Sequence, residues 1–283
     1  SLGRRGYEVA LADSGSGGGR IIGEAALPGL ATWRRVLDYR LGQIDKLKQV
    51  SFFPGSKMDA EAIHEFDSSH VAIATGATWR RDGVGRATWR SVPGVTEHSG
   101  IFTPDDIFAG VQPEIGPVLV YDDDHYYLGG LIAEALVMAG LSVTVLTPGP
   151  EVSHWTQNTM EQHKIEERLL SLGVTLVCKR TLVSVQSDYV VTRCNLTGEE
   201  HSLPVASLVL VTARLPTNEL YFGVVGADEE HLEALPFGLS RIGDCLAPST
   251  IAAAVYDGHR YARELDNPPE PDGVPFRREY TLI

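Results

Sequence analysis

The turn Asp122-Asp123-Asp124-His125 constrains this chain more than any other feature, because of what flanks it. Gly116-Pro117-Val118-Leu119-Val120-Tyr121 predicts a buried strand, Leu131 to Ala139 the helix after it, and Leu141 to Thr147 the next strand. A βαβ unit of this kind ordinarily carries G-x-G-x-x-G in its first turn, where glycines let the backbone approach a pyrophosphate. Here the turn runs Asp122-Asp123-Asp124-His125-Tyr126-Tyr127-Leu128-Gly129-Gly130. Carboxylates stand where backbone amides would meet phosphate, and like charges repel. The expectation is a nucleotide-type α/β unit that has kept its fold and lost its dinucleotide grip.

The rest of the chain gives that unit company. With 283 residues, one or two domains can each bury a core. A formal net charge of -13 argues against nucleic acid or an anionic membrane as partner, and leaves room for an encounter with a basic protein. No apolar run has the ~20 residues a bilayer span needs, and no signal peptide is visible. Cys178, Cys194 and Cys245 are scattered, with neither C-x-x-C pairing nor the clustered spacing of an iron–sulfur site. A reducing cytoplasm is the default expectation.

Ser1 to Tyr7 reads as the end of a helix stopped by Gly6, so the chain is expected to be cut from something longer. The strand Glu8 to Ala12 leads to Asp13 and a Gly/Ser turn, Ser14 to Gly19. Asp13 thereby takes the place of the acidic residue that hydrogen-bonds an adenosine ribose in dinucleotide folds. Thr32 to Val50 has helical apolar spacing, Ser51 to Phe53 reads as a short strand, and Ser69 to Ala77 as a buried strand entering a glycine turn. Thr78 to Pro113 reads as an exposed connection with one short helix, capped by Thr103 with Pro104 in its first position. A helix is expected from about Thr159 to Leu172, with strands at 174–177, 182–186 and 189–194. Leu208 to Arg214 then repeats the strand-to-turn theme of residues 70–77.

In the last third, Leu239 to Asp244 is a strand ending in Gly-Asp, followed by Cys245-Leu246-Ala247-Pro248 and a helix through Ile251 to Ala262. The glycine admits close approach, the carboxylate can accept bonds from a polyol, and the helix N-terminus offers free N–H groups. Together with Ala26-Leu27-Pro28-Gly29, Asp38-Tyr39-Arg40, Ala74-Thr75-Gly76-Ala77 and Gly258-His259-Arg260, these residues carry a resemblance over roughly residues 1–280. The chain resembles the C-terminal two-domain part of the trimethylamine, dimethylamine and histamine dehydrogenase family, which includes the 2,4-dienoyl-CoA reductases. The Asp122 to Tyr127 loop is similar to the amine-dehydrogenase branch.

That resemblance implies an α/β fold of two Rossmann-like, disulfide-reductase-like domains, one inserted in the other. Residues 1–112 with 227–283 would form the FAD- or ADP-binding domain, without its first strand and glycine loop, and 113–226 the inserted NAD(P)-binding-like domain. It implies Asp13, Arg20, Ala74, Thr75, Gly76, Gly243 and Asp244 as cofactor-binding positions, with Asp13 at the ribose and Gly243-Asp244 at a flavin ribityl chain. FMN and a [4Fe–4S] cluster would belong to an N-terminal TIM barrel outside these residues. It further implies electrons passing to an electron-transferring flavoprotein, a homodimeric parent, and no catalytic residue within this segment. An NAD(P)H-dependent flavin reductase of the dienoyl-CoA type and a purely structural or nucleotide-binding module are the alternatives.

Blander meanings are preferred at several positions. Asp122 to His125 reads as a solvated strand-end loop rather than a metal site, and Tyr126-Tyr127 as filling the space of a nicotinamide nucleotide. His154-Trp155 reads as a packed surface loop, and Cys245 as a buried spacer. No G-x-S-x-G pattern supports hydrolase chemistry.

Overall fold

A computed structural model describes residues 1–226 and 235–266. The stretches 227–234 and 267–283, which the expected outer domain includes, lie outside the described residues. In chain order the elements are β1 (Val9–Asp13), α1 (Ile21–Glu24), α2 (Arg34–Ile44), β2 (Val50–Pro54), α3 (Ala60–Glu65), β3 (His70–Ile73) and β4 (Ala77–Trp79). Next come β5 (Ile101–Phe102), α4 (Pro104–Phe108), β6 (Val118–Asp122), α5 (Tyr127–Met138), β7 (Val143–Leu146) and α6 (Gln162–Ser171). The chain continues through β8 (Thr175–Val177), β9 (Arg180–Val185), β10 (Tyr189–Cys194), β11 (Glu200–Pro204) and β12 (Ser207–Val211). It goes on with β13 (Arg214–Pro216), α7 (Glu219–Val225), β14 (Gly238–Arg241) and α8 (Ile251–Glu264). Among the described residues, no helix is long and apolar enough to cross a membrane.

The chain divides into two compact units: residues 1–21, 35–77 and 216–283, and residues 22–34 and 78–215. The second is built on a five-stranded, all-parallel sheet in the order β5-β12-β6-β7-β8. β6 and β12 are buried along their whole length, which is why they read as continuous apolar runs rather than alternating ones. Their residues still alternate by face. Val118, Val120, Val209 and Val211 enter a core with Ile132 and Leu136 of α5 and Leu169 of α6. Leu119, Tyr121, Leu208 and Leu210 enter a second core with Leu182, Val185 and Val190. Those last residues belong to an antiparallel sheet, β11-β10-β9, that covers the opposite face. Each fully buried Leu or Ile contributes about 1.5–3 kcal/mol relative to exposure, so the cores clamp β6 and β12 from both sides.

The segment 78–113 is not the exposed connection its sequence suggests. Trp79, Val92, Val95 and Ile101 are buried, and β5 forms an edge of the parallel sheet. Only the capped helix stands as expected. Pro104 opens α4, and the Asp106 carboxylate accepts from the Thr103 N–H (2.7 Å) and hydroxyl (3.0 Å). The helix anticipated over 32–50 stops at Ile44, and Val50 begins β2 instead.

The first unit carries two parallel strand pairs, β1 with β2 and β14 with β3, each a separate sheet. β1 and β2 are mostly exposed, Leu11 and Phe53 among their residues. A small core of Ile63, Val224 and Phe237 lies where α3 and α7 meet, and Leu37 of α2 packs on Gly18. Gly6 is left-handed (φ 93°) and ends the opening turn Gly3–Arg5, as its position predicts.

Candidate functional site

In the first unit, the expected cofactor positions follow strand ends. Asp13 closes β1, and its Oδ1 accepts the Gly15 N–H at 2.7 Å. Its other carboxylate oxygen has no protein partner among the described residues. The Asp13 carbonyl accepts from Ser56 N–H (2.9 Å) and the Gly15 carbonyl from Gly55 N–H (2.8 Å), which ties the turns after β1 and β2 together. Gly17, Gly18 and Gly19 then take φ values of 84°, 105° and 54°, a left-handed run that only glycine adopts without strain. The run delivers Arg20 to Asp244. An Arg20 Nη1–Asp244 Oδ2 contact of 3.2 Å forms an ion pair, while Nη2 donates to the Ser249 carbonyl at 2.6 Å.

Asp244 is 8% exposed, and its Oδ1 accepts the Ser249 N–H at 3.0 Å. Burial raises its pKa, with Arg20 and the Ser249 N–H pulling the other way. Both its oxygens are therefore engaged by protein. Gly243 before it is left-handed (φ 63°), and its N–H donates to Asp257 Oδ2 at 2.6 Å. Asp257 in turn pairs with Arg260 at 2.7 Å. Sequence reading missed Asp257, although the adjacent Gly258-His259-Arg260 lay within the recognised pattern.

Ala74 and Thr75 are exposed after β3, and Gly76 is left-handed (φ 81°) with its carbonyl accepting the Thr217 N–H at 2.9 Å. The Thr75 hydroxyl donates to the Thr217 carbonyl and lies 3.2 Å from Cys245 Sγ. Cys245 is fully buried, and its thiol donates to that same carbonyl at 3.3 Å, in keeping with a spacer. The structure thus joins Arg20 to Asp244, and Thr75 to the residue after it. Asp13 makes no bond to this group.

In the second unit, the acid loop differs from the solvated one expected. Asp122 is the last residue of β6, and the side chains of Asp122 and Asp123 are both fully buried. Asp122 Oδ1 accepts from the N–H groups of Asp124 (3.2 Å) and His125 (3.0 Å), while Oδ2 has no hydrogen-bond partner. Its side chain lies against Gly129 in the first turn of α5. Asp123 Oδ2 accepts from Ala87 N–H at 2.8 Å, and Oδ1 is 3.3 Å from His125 Nε2. The N–H groups of Asp123 and Asp124 donate to the Val211 carbonyl at the end of β12, at 2.9 and 3.1 Å. His125 is held in the left-handed region (φ 64°), with Nδ1 3.3 Å from Thr147 Oγ1 and its carbonyl accepting Trp155 N–H at 2.9 Å.

Burial first, then the Asp124 charge, pushes Asp122 up to about 7. Burial works against a charged His125, but its bond to Asp123 and the charges of Asp122 and Asp123 win and raise it. Tyr127 is buried in the first turn of α5. It is a core residue, edge-on to Trp33 with ring centroids 5.4 Å apart, and its hydroxyl donates to Glu161 and lies 3.1 Å from the Thr159 hydroxyl. Trp155 packs under the Arg86 guanidinium at 4.4 Å, consistent with a packed surface loop.

No family model matches the chain. It is 29% identical to dimethylamine dehydrogenase of Hyphomicrobium sp. (strain x), covering 97% of this chain and 41% of that protein. The structure of histamine dehydrogenase from Rhizobium sp. 4-9 superposes with a TM-score of 0.91 at 41% identity, over 100% of this chain and 41% of that one. The 6-hydroxypseudooxynicotine amine oxidase of Pseudomonas geniculata N1 gives 0.87 at 38% identity, over 92% of this chain and 39% of its own. The chain therefore spans about two-fifths of the length of the relatives it matches. The resemblance read from its motifs holds: its homologues are the dimethylamine and histamine dehydrogenases, oxidoreductases that act on amines.

Proposed function

We propose that this chain is the nucleotide-binding module of an amine-oxidising flavoenzyme, with an adenine nucleotide, ADP or FAD, bound in its first unit. The observation that carries this is the 41% identity with histamine dehydrogenase along the whole chain, at a TM-score of 0.91. The unused Asp13 oxygen fits a ribose hydroxyl. The exposed Ala74-Thr75-Gly76 backbone and Gly243 allow close approach from the ends of β3 and β14. Asp244, with both oxygens engaged, shapes the Arg20 side of the site rather than offering a free acceptor. A flavin bound there supplies electron acceptance, which none of the protein groups can.

In the same proposal the chain comprises two nucleotide-type domains, one inserted in the sequence of the other. FMN, the [4Fe–4S] cluster and amine chemistry reside in a barrel outside these residues. Electrons leave to an electron-transferring flavoprotein from a homodimeric, cytoplasmic enzyme, and the segment itself is not catalytic. The reductase alternative requires a pyrophosphate at the β6–α5 turn. Asp122 already occupies that space, which counts against it.

Titration of the purified protein with ADP and FAD tests the nucleotide site. Saturable binding of one of them, weakened at least tenfold by Asp13→Asn through loss of a charge-assisted bond of about 1.5–3 kcal/mol, is expected. No binding, together with no adenine nucleotide released from the protein as purified, would reject it.

A further inference from the structure

A cavity of about 580 Å³ opens in the second unit, between residues 87–90 and the antiparallel strands β9 and β10. Its size suits a small organic ligand, and none of the positions assigned to a nucleotide lines it. Both walls are held by the backbone. Ala87 N–H donates to Asp123 Oδ2, and the Thr88 carbonyl accepts the Gly85 N–H, each at 2.8 Å. Opposite, β9 bulges: Thr192 pairs with Leu182 and Val191 with Ser184, so Val183 has no partner across the ladder. A bulge of this kind re-aims side chains, often beside a ligand site. The turn after β10 is closed by the Gly198 N–H on the Cys194 carbonyl at 2.9 Å.

The lining combines an open ring with unspent positive charge. Trp89 is 85% exposed, more than any other large apolar side chain among the described residues. An indole left in water gains by stacking on a flat ligand. Arg90, next to it, makes no hydrogen bond, ion pair or ring contact with any described residue. Arg180, which faces Cys194 in the ladder, gives its bonds to uncharged oxygens alone: the Thr192 hydroxyl and carbonyl and the Glu199 carbonyl. The carboxylates nearby sit elsewhere. Glu200 pairs with Arg193 at 2.7 Å, and Glu199 lies 3.5 Å from His201. A guanidinium without a carboxylate partner can take both oxygens of one from a ligand. We propose that this cavity binds a small aromatic carboxylate, with its ring on the Trp89 indole and its carboxylate in the fork of Arg90. A neutral ring or a ringless anion satisfies only one of the two groups. The Cys194 thiol lines the same cavity and so reports its occupancy without taking part. This site owes nothing to nucleotide binding in the first unit.

Titration of the whole chain with benzoate, followed by saturation-transfer NMR and by alkylation of Cys194, tests the site. The Thr197 hydroxyl, with the N–H groups of Thr197 and Leu196, holds the Cys194 thiol down to about 7. Burial raises Cys178, and Cys245 is fully buried. Iodoacetamide at about pH 7.5 therefore reaches Cys194 first, as peptide mass spectrometry can follow. Benzoate is expected to bind saturably and to slow this alkylation, with benzamide and acetate at least tenfold weaker on the order of one lost charged contact or one lost ring. Arg90→Gln and Trp89→Ala, both changes at exposed side chains, should each weaken benzoate about tenfold, every protein being compared with its own rate without ligand. No saturable binding, unslowed alkylation of Cys194, equal binding of benzamide or acetate, or undiminished binding in Arg90→Gln would each overturn the proposal.

Discussion

The Asp122 side chain occupies the space a Gly129 side chain would need: a methyl group there would fall 2.6 Å from Asp122 Cβ. The glycine that in a phosphate-binding turn admits a ligand here admits a carboxylate of the same chain. Gly129→Ala is therefore expected to destabilise the protein by about 1–3 kcal/mol, as overpacking does. The cost should largely vanish in the Asp122→Gly background, because the two positions compete for one volume. Urea unfolding of the two single variants and the double variant measures the coupling. Additive effects would mean that Asp122 and Gly129 do not meet.

Arg20 and Asp244 give a second prediction. Arg20→Met keeps the aliphatic stem and removes the guanidinium from a nearly buried carboxylate. A loss of about 1–3 kcal/mol at pH 7 is expected. Without the guanidinium the Asp244 pKa rises further, so folding takes up a proton and the deficit shrinks as pH falls towards 4. Denaturant unfolding of both proteins at the two pH values reads this out; an equal deficit at both would show that the ion pair is not its source.

Asp82 behaves with the opposite sign. Arg80 grips it through Nε (2.9 Å) and Nη2 (2.5 Å), and with Val84 N–H holds its pKa down to about 2. A depressed carboxylate stabilises above its unfolded value and loses that contribution as pH falls through the folded one. The pair is partly solvent-screened, so Asp82→Asn should cost only about 1 kcal/mol at neutral pH. That cost should fade between about pH 4 and 2, followed as the shift in thermal midpoint between variant and wild type. A midpoint difference that persists at low pH would assign the effect to packing.

Legibility in the sequence tracked how far each feature depended on neighbours in the chain. β6, α5 and β7 were readable because burial on both faces makes long apolar runs. The α4 cap was readable because Thr103, Pro104 and Asp106 act within one turn. β5 was invisible: Ile101-Phe102 is too short for any period, and its place beside β12 is a long-range fact. The α2 helix was read too far because apolar spacing carries on through Leu47 into Val50, where pairing with Val9 takes over. The acid loop showed its charges but not its burial. Its carboxylates face inward because Asp122 is still in the strand, where N–H groups of the next residues fold back onto it.

Strand order in the larger sheet sets a constraint on biosynthesis. β12 lies between β5 and β6, yet it is the last of the five strands to leave the ribosome. Until residues 207–211 emerge, the inner edges of β5 and β6 have no partner, and the nascent chain carries unpaired apolar edges. Closure of this sheet is therefore a late, non-local event, and a chain stopped anywhere short of Val211 would be a substrate for chaperones rather than a smaller version of the same domain.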